Sequence, residues 1–116
     1  MNIEKLKGYH CAVEAAMDVV GGKYKALILY ELMSGTKRYN EIQRALPQAT
    51  PRMLSKQLKE LEEDGVISRV LYPVVPPKTE YSLTELGQTR APIVDALCRW
   101  GERYFELAGV PVPGED

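Results

Sequence analysis

The most regular alternation of apolar and polar positions lies in Thr50–Gly65, TPRMLSKQLKELEEDG. Leu54, Leu58 and Leu61 recur at i, i+4 and i+7, the spacing of one helical face. At roughly 100° per residue, Arg52, Lys56, Lys59 and Glu63 fall on the opposite face. Thr50 and Pro51 supply a cap and a residue suited to the first helical position. Gly65 supplies the left-handed conformation that closes a helix. The outward stripe is basic in its first turns and acidic at its end. A helix that points its N-terminal half into a DNA major groove has this pattern, although most such stripes are solvated faces.

Upstream, Met1–His10 reads as an irregular polar arm. Cys11–Val20 predicts a short helix with Val13, Ala16, Met17 and Val20 on one side, ended by Gly21-Gly22. Lys23–Ser34 predicts a second helix whose apolar residues Ala26, Leu27, Ile28, Leu29, Leu32 and Met33 run nearly all the way round, as in a buried central helix. Thr36-Lys37-Arg38 reads as one short strand. Tyr39–Leu46 is a third helix, capped by Asn40 or a residue just before it, with Ile42, Ala45 and Leu46 inward. A short helix, a tight turn over Pro47–Ala49 and a second amphipathic helix form a helix-turn-helix.

Downstream, Val66–Tyr72 is rich in β-branched residues and reads as a strand. Pro73–Lys78, PVVPPK, lacks the donors of a central strand and reads as a hairpin tip. Thr79–Leu83 alternates Tyr81 and Leu83 against Glu80 and Ser82, a returning strand. Two strands after a helix-turn-helix make a winged helix. Thr84 caps a further helical stretch, which Pro92 either bends or divides. Beyond Pro92, Ile93, Leu97, Trp100, Tyr104 and Leu107 form one seam, and Val94, Cys98, Gly101 and Phe105 the next. That face is wider than one small domain needs, and a second copy would cover it. Gly109–Asp116 reads as a frayed tail.

The fold class is therefore mainly α with a small β-hairpin, a single winged helix-turn-helix domain over residues 1–116, ordered from about 11 to 107. Residues 84–107 form its C-terminal dimerisation region. No apolar run approaches a membrane span and no leader pattern opens the chain, so the expected compartment is the cytoplasm, with no membrane partner. The net charge of −1 speaks against DNA binding if taken alone. Its distribution reverses that: residues 23–59 hold eight basic side chains and two acids. A positive face on a chain that is acidic overall is the result. Cys11 and Cys98 make no disulfide scaffold, and with His10 as the lone histidine no metal-ligand spacing occurs. Gly21-Gly22-Lys23 lacks the spacing of a phosphate loop, and no nucleophile, base and orienter set is present. The reading is a non-enzyme with no cofactor and no metal.

With these elements laid out, the chain resembles the HxlR-type winged helix-turn-helix transcriptional regulators, relatives of the MarR group. The matching stretches are Cys11–Glu14, Gly21–Lys25, Lys37–Ile42, Thr50–Leu54 and Leu58–Gly65, then Tyr72-Pro73, Val75–Pro77, Glu80–Thr84 and Leu97–Gly101. Together they cover nearly everything from Cys11 to Phe105. Tyr24 and Tyr39 stand where the family more often has Trp and Phe; both keep an aromatic ring. The resemblance implies a homodimer joined by the N- and C-terminal helices, a wing on each subunit and an inverted-repeat operator in double-stranded DNA. It also implies, for some members, sensing of oxidants or electrophiles at the cysteine that aligns with Cys11. A small-molecule or electrophile inducer is a further partner, which the sequence does not name.

Candidate base readers are Thr50, Arg52, Met53, Ser55 and Lys56, since Arg suits guanine and hydroxyls suit a base or a phosphate. Lys59 extends the stripe. Arg69 and Lys78 flank the proline-braced wing and suit backbone or minor-groove contact; the plainer reading is solubility. Arg38 and Asn40 are candidate phosphate contacts near a helix start, and Lys23, Lys25, Lys37 and Arg44 add to the positive face. Cys11 is either a small buried hydrophobe or a thiol activated by a helix N-terminus, with His10 and Lys7 as helpers. Cys98 reads as packing, and Trp100 and Tyr104 as interface core. The competing reading is a winged-helix module for protein–protein contact without DNA binding, which calls for a neutral or acidic stripe.

Overall fold

The computed structural model describes residues 3–114, apart from the side chains of Val20 and Lys23. Its elements in order are α1 (Ile3–Lys7), α2 (Ala12–Val20), α3 (Lys23–Leu32), β1 (Lys37–Arg38), α4 (Tyr39–Ala45) and α5 (Pro51–Glu63), then β2 (Ile67–Tyr72), β3 (Lys78–Leu83), α6 (Glu85–Gln88) and α7 (Ala91–Ala108). The strands form one antiparallel sheet in the order β1-β3-β2. Ile67 pairs with Leu83 and Tyr72 with Lys78, while Lys37 and Arg38 lie opposite Tyr81 and Glu80. The hairpin is thus the larger part of a three-stranded sheet.

The core forms where α3 and α5 cross above the sheet. Ile28, Leu29 and Leu32 of α3 meet Leu54, Leu58 and Leu61 of α5, closed by Ile42, Leu46, Val66, Ile67 and Tyr81. Each helix contributes residues at helical spacing, so burial follows directly from the periodicity. Gly65 takes φ 79°, and the Val66 N–H then reaches back to the Leu61 carbonyl. Thr84 ties the wing to α6. Its hydroxyl donates to the Gly65 carbonyl at 2.6 Å and accepts from the Gly87 N–H at 3.1 Å. Gly87 is buried where a Cβ would run into the Val66 carbonyl, so α6 packs this closely only with glycine there.

Several expectations change. Residues 3–7 of the expected irregular arm form α1, held by Lys5 Nζ at 3.1 Å from Asp18 and by a Tyr9 hydroxyl bond to the same carboxylate. A polar composition hid a helix stabilised by these side-chain bonds rather than by buried apolar surface. Helix α3 is not enclosed: Leu27, Tyr30 and Met33 reach solvent because α2, α4, α5 and β3 cover only part of its circumference. Ala45 is exposed, since α4 presents little more than Ile42 and Leu46 inward. Helix α4 is capped at Arg38 rather than Asn40, its backbone N–H held by Glu41 at 3.0 Å. Pro92 divides the C-terminal stretch rather than bending it, in the first turn of α7.

On α7 only Val94 is buried; Ile93, Leu97, Trp100, Tyr104 and Leu107 all face outward, Trp100 at 66% exposure. The rings of Trp100 and Tyr104 lie 5.6 Å apart. Val13 and Met17 of α2 are exposed as well; the Val20 side chain expected beside them lies outside the described residues. Of the expected frayed tail, Gly109 closes α7 with φ 71°, while residues 115–116 lie outside the described residues. Among the described residues no helix is long and apolar enough to cross a membrane.

Candidate nucleic-acid interface

Helix α5 begins with the Thr50 hydroxyl accepting from the Met53 N–H at 3.1 Å. That bond satisfies one of the orphan donors of the first turn, and Pro51 has none to satisfy. Because Leu54, Leu58 and Leu61 are pinned in the core, Arg52, Met53, Ser55, Lys56 and Lys59 stand exposed along the opposite side. Among the described residues Arg52, Lys56 and Lys59 join no ion pair. Three cations without internal counter-ions on one helical stripe set up a positive potential directed outward.

The acidic end of α5 behaves differently from its sequence. Glu60 turns inward to Lys25, 2.8 Å away, and Glu62 pairs with Arg69 Nε at 3.1 Å. Two of the acids that follow the basic stripe are therefore matched within the chain. The same pairs remove two cations from the expected positive face. Lys25 is buried against Glu60 and the Asp18 carbonyl, because its position on α3 faces α5. Arg69 is drawn back from the wing flank by Glu62, beside Tyr39, Ser55 and Tyr81.

Helix α4 is set against α5 by the Tyr39 hydroxyl, which donates to the Pro51 carbonyl at 3.3 Å. The Glu41 carboxyl is held below the usual range by the Arg38 backbone bond, with Lys37, Arg38 and Arg44 adding smaller contributions. Arg38 and Asn40 are exposed and line a groove of about 590 Å³ between the start of α4 and the hairpin tip. At that tip Val75 is 99% exposed. Lys78 sits at the base of the wing, 4.9 Å over the Tyr72 ring and 3.9 Å from Glu80. The structure thus brings Arg38, Asn40, the first turns of α5 and the wing onto one side, with Arg69 and Lys78 partly engaged by acids. The contribution expected of the Lys23 side chain lies outside the described residues.

Cys11 is exposed at the N-cap position of α2. Its two expected helpers are engaged elsewhere: His10 Nδ1 lies 3.2 Å from Glu14, and Lys7 3.3 Å from Glu4. Cys98 is exposed rather than packed, its thiol directed at Glu102 at 3.4 Å. Among the described residues no group of three or more His, Cys, Asp or Glu gathers as metal ligands.

A family model described as HxlR-like helix-turn-helix matches residues 19–108. The chain belongs to the HxlR-like helix-turn-helix family. Among relatives of this HxlR-like chain, the HTH-type transcriptional regulator YdeP of Bacillus subtilis (strain 168) is 52% identical over 94 residues, covering 81% of this chain and 73% of the relative. The solved structure of the redox regulator HypR in its reduced form matches with a TM-score of 0.81 at 47% identity, covering 85% of this chain and 98% of that one. The structure of YtcD, an HTH-type transcriptional regulator, matches at 0.79 and 47% identity, covering 83% and 98%. The HxlR-like chain is thus a winged-helix member of a family of transcriptional regulators, and its relatives are regulators rather than enzymes.

Proposed function

We propose that this HxlR-like chain is a sequence-specific DNA-binding repressor that acts as a homodimer on an inverted-repeat operator. The observation that carries the reading is the stripe of Arg52, Lys56 and Lys59 without internal partners on the first turns of α5, flanked by Arg38 and Asn40 and by the wing. In the dimer the two α5 helices enter successive major grooves about one helical turn apart. Arg52, Met53, Ser55 and Lys56 meet base edges, while Thr50, Arg38, Asn40 and Lys59 meet the backbone. The wing, with Lys78 at its base and Arg69 behind it, lies over the flanking groove. The exposed apolar surface of α7 and of Val13 and Met17 on α2 supports pairing of two copies.

Thiol modification at Cys11 is the signal we propose. Its exposed place at the start of α2, beside the pairing surface, supports the reading, as does the likeness to the redox regulator HypR. Modification there changes how the N-terminal helices pack and with that the spacing of the recognition helices.

Binding to an inverted-repeat fragment from upstream DNA, compared with scrambled DNA across a salt series, tests the main reading. The expected result is preference for the repeat and affinity that falls steeply with salt. Equal binding to both fragments, or none, leaves the protein–protein module as the better account. For the signal, a Cys11→Ser variant should lose the response to diamide or a quinone; an unchanged response removes Cys11 from the mechanism.

A further inference from the structure

Residues Pro73–Pro77 close the wing between the paired residues Tyr72 and Lys78. Val75 at the tip is 99% exposed, and Val74 beside it is half exposed. Neither joins the core, although a branched aliphatic side chain gains by burial. Pro73, Pro76 and Pro77 fix φ on both sides of them, so the tip loses little entropy when it docks. No side chain from Pro73 to Pro77 is charged or carries a hydrogen-bonding group. The prolines have no N–H, and that of Val74 donates to the Tyr72 carbonyl at 2.8 Å. Lys78 is turned to its own hairpin, over the Tyr72 ring and towards Glu80. The tip is thus a stiff apolar point without a charge of its own.

Its surroundings identify what covers it. Val74, Val75, Pro76 and Pro77 form one wall of the groove of about 590 Å³ whose other wall is Arg38, Tyr39 and Asn40. Among the described residues Arg38 joins no ion pair. A cation and an amide on one wall suit a DNA backbone strand lying in the groove. The start of α5 adjoins that same wall, through the Tyr39 hydroxyl on the Pro51 carbonyl. With α5 in a major groove and the strand in the cleft, the tip lies across that strand. Across a backbone strand from the major groove is the minor groove.

We propose that Val75 packs into the minor groove beside each half-site and selects base pairs that lack the exocyclic amino group of guanine, an inference that rests on the proposed DNA-binding role. The floor of the minor groove shows only acceptors at A·T, whereas G·C adds the amino donor. An aliphatic tip covers that donor and supplies no side-chain acceptor, so the group loses its water without a new bond. The wing then reads A·T against G·C by shape and desolvation. A cation would read the narrow groove through its negative potential instead, and salt would weaken that preference.

Operator duplexes that share the inverted repeat and differ only in their flanks test this. The flanks are A·T, inosine·C, G·C or diaminopurine·T pairs. Inosine·C keeps the major-groove face of G·C without the amino group, and diaminopurine·T adds that group to A·T. The parent should bind the A·T and inosine·C flanks about tenfold more tightly than the other two. That ratio should stay the same across a salt series. Val75→Ala should lose most of it. Val75→Asn, whose amide oxygen accepts from the amino group, should bind G·C flanks as well as A·T flanks. The side chain is almost fully exposed, so both variants should keep the circular dichroism spectrum and unfolding midpoint of the parent. The full ratio retained in both variants would overturn the proposal and assign the preference to duplex stiffness. Equal affinity for all four flanks, with the repeat still preferred over scrambled DNA, overturns this proposal alone. No binding to any of the duplexes overturns the DNA-binding role together with it.

Discussion

Lys25 Nζ lies 2.8 Å from Glu60 Oε2, joining the first turn of α3 to the last turn of the recognition helix. The same ammonium donates to the Asp18 carbonyl at 3.3 Å, near the end of α2. One buried cation thus fixes the last third of α5 to two other helices. It also turns an acid away from the surface that would otherwise face phosphate.

Lys25→Met leaves Glu60 without its partner and the Asp18 carbonyl unmatched. Glu60 is partly exposed and recovers some hydration, so the expected loss is about 1–3 kcal/mol, read by urea denaturation. Glu60→Gln keeps an acceptor and should lose less. Equal stability of Lys25→Met and the parent would show that the pair contributes nothing.

Arg52 and Arg69 should separate in operator binding, although both are basic and near the DNA side. Among the described residues Arg52 joins no ion pair, whereas Arg69 is matched by Glu62 at 3.1 Å. Arg52→Ala should weaken binding to the inverted repeat by about 1–3 kcal/mol and relax preference at one position of each half-site. Lys59→Ala should lower the salt slope by about one unit, with little effect on sequence preference. Arg69→Ala should change the slope least. A loss in Arg69→Ala as large as in Arg52→Ala would mean that the Glu62 pair opens on DNA.

Thr50→Ala removes the hydroxyl that caps α5 through the Met53 N–H at 3.1 Å. Thermal or urea unfolding should show a loss of about 1 kcal/mol, restored by Thr50→Ser. Recovery of stability in the serine variant without recovery of operator affinity would point to a separate contact by the threonine methyl.

The docking of α1 should depend on pH in a defined direction. The Asp18 carboxyl is held below its ordinary range, first by the Tyr9 hydroxyl and then by Lys5. A depressed carboxyl pKa means a contribution present above the unfolded value and lost as pH falls through the folded one. Tyr9 and Lys5 are both raised by the same Asp18, so their contribution is present below their unfolded values and lost as pH rises through the folded ones. Protection of the Gly8 and Tyr9 amides, which bond to Lys5 and Leu6, relative to the intrinsic exchange rate at each pH, should therefore be greatest between roughly pH 5 and 9 and smaller on both sides. Asp18→Asn should flatten the acid limb; an acid limb unchanged in that variant would assign it to another group.

Much of the fold was legible because burial here follows short periodicities. The leucines of α5, the alternation around Tyr81 and the Pro-rich tip each specify an element without help from distant residues. Helix α1 was not legible, because its stabilising partner, Asp18, lies in the next helix. The wide apolar face of α7 was legible as such, and its exposure in one chain accords with the sequence.

For the candidate site, the membership of the recognition stripe is already fixed in one dimension. A constant rotation per residue carries Arg52, Lys56 and Lys59 away from the buried leucines wherever the helix packs. Which charges remain available is settled only once the chain has folded. Lys25 and Arg69 count as basic in any reading of the chain, yet each meets an acid from α5: Lys25 meets Glu60, distant in sequence, and Arg69 meets Glu62 across the turn from α5 into β2. Arg90 is the converse: it looks like an ordinary surface residue after a short helix, and only the meeting of α1, α2, the end of α5, α6 and α7 buries it. Periodicity is local and survives in one dimension, whereas pairing and desolvation depend on which distant groups the fold brings within a few ångströms.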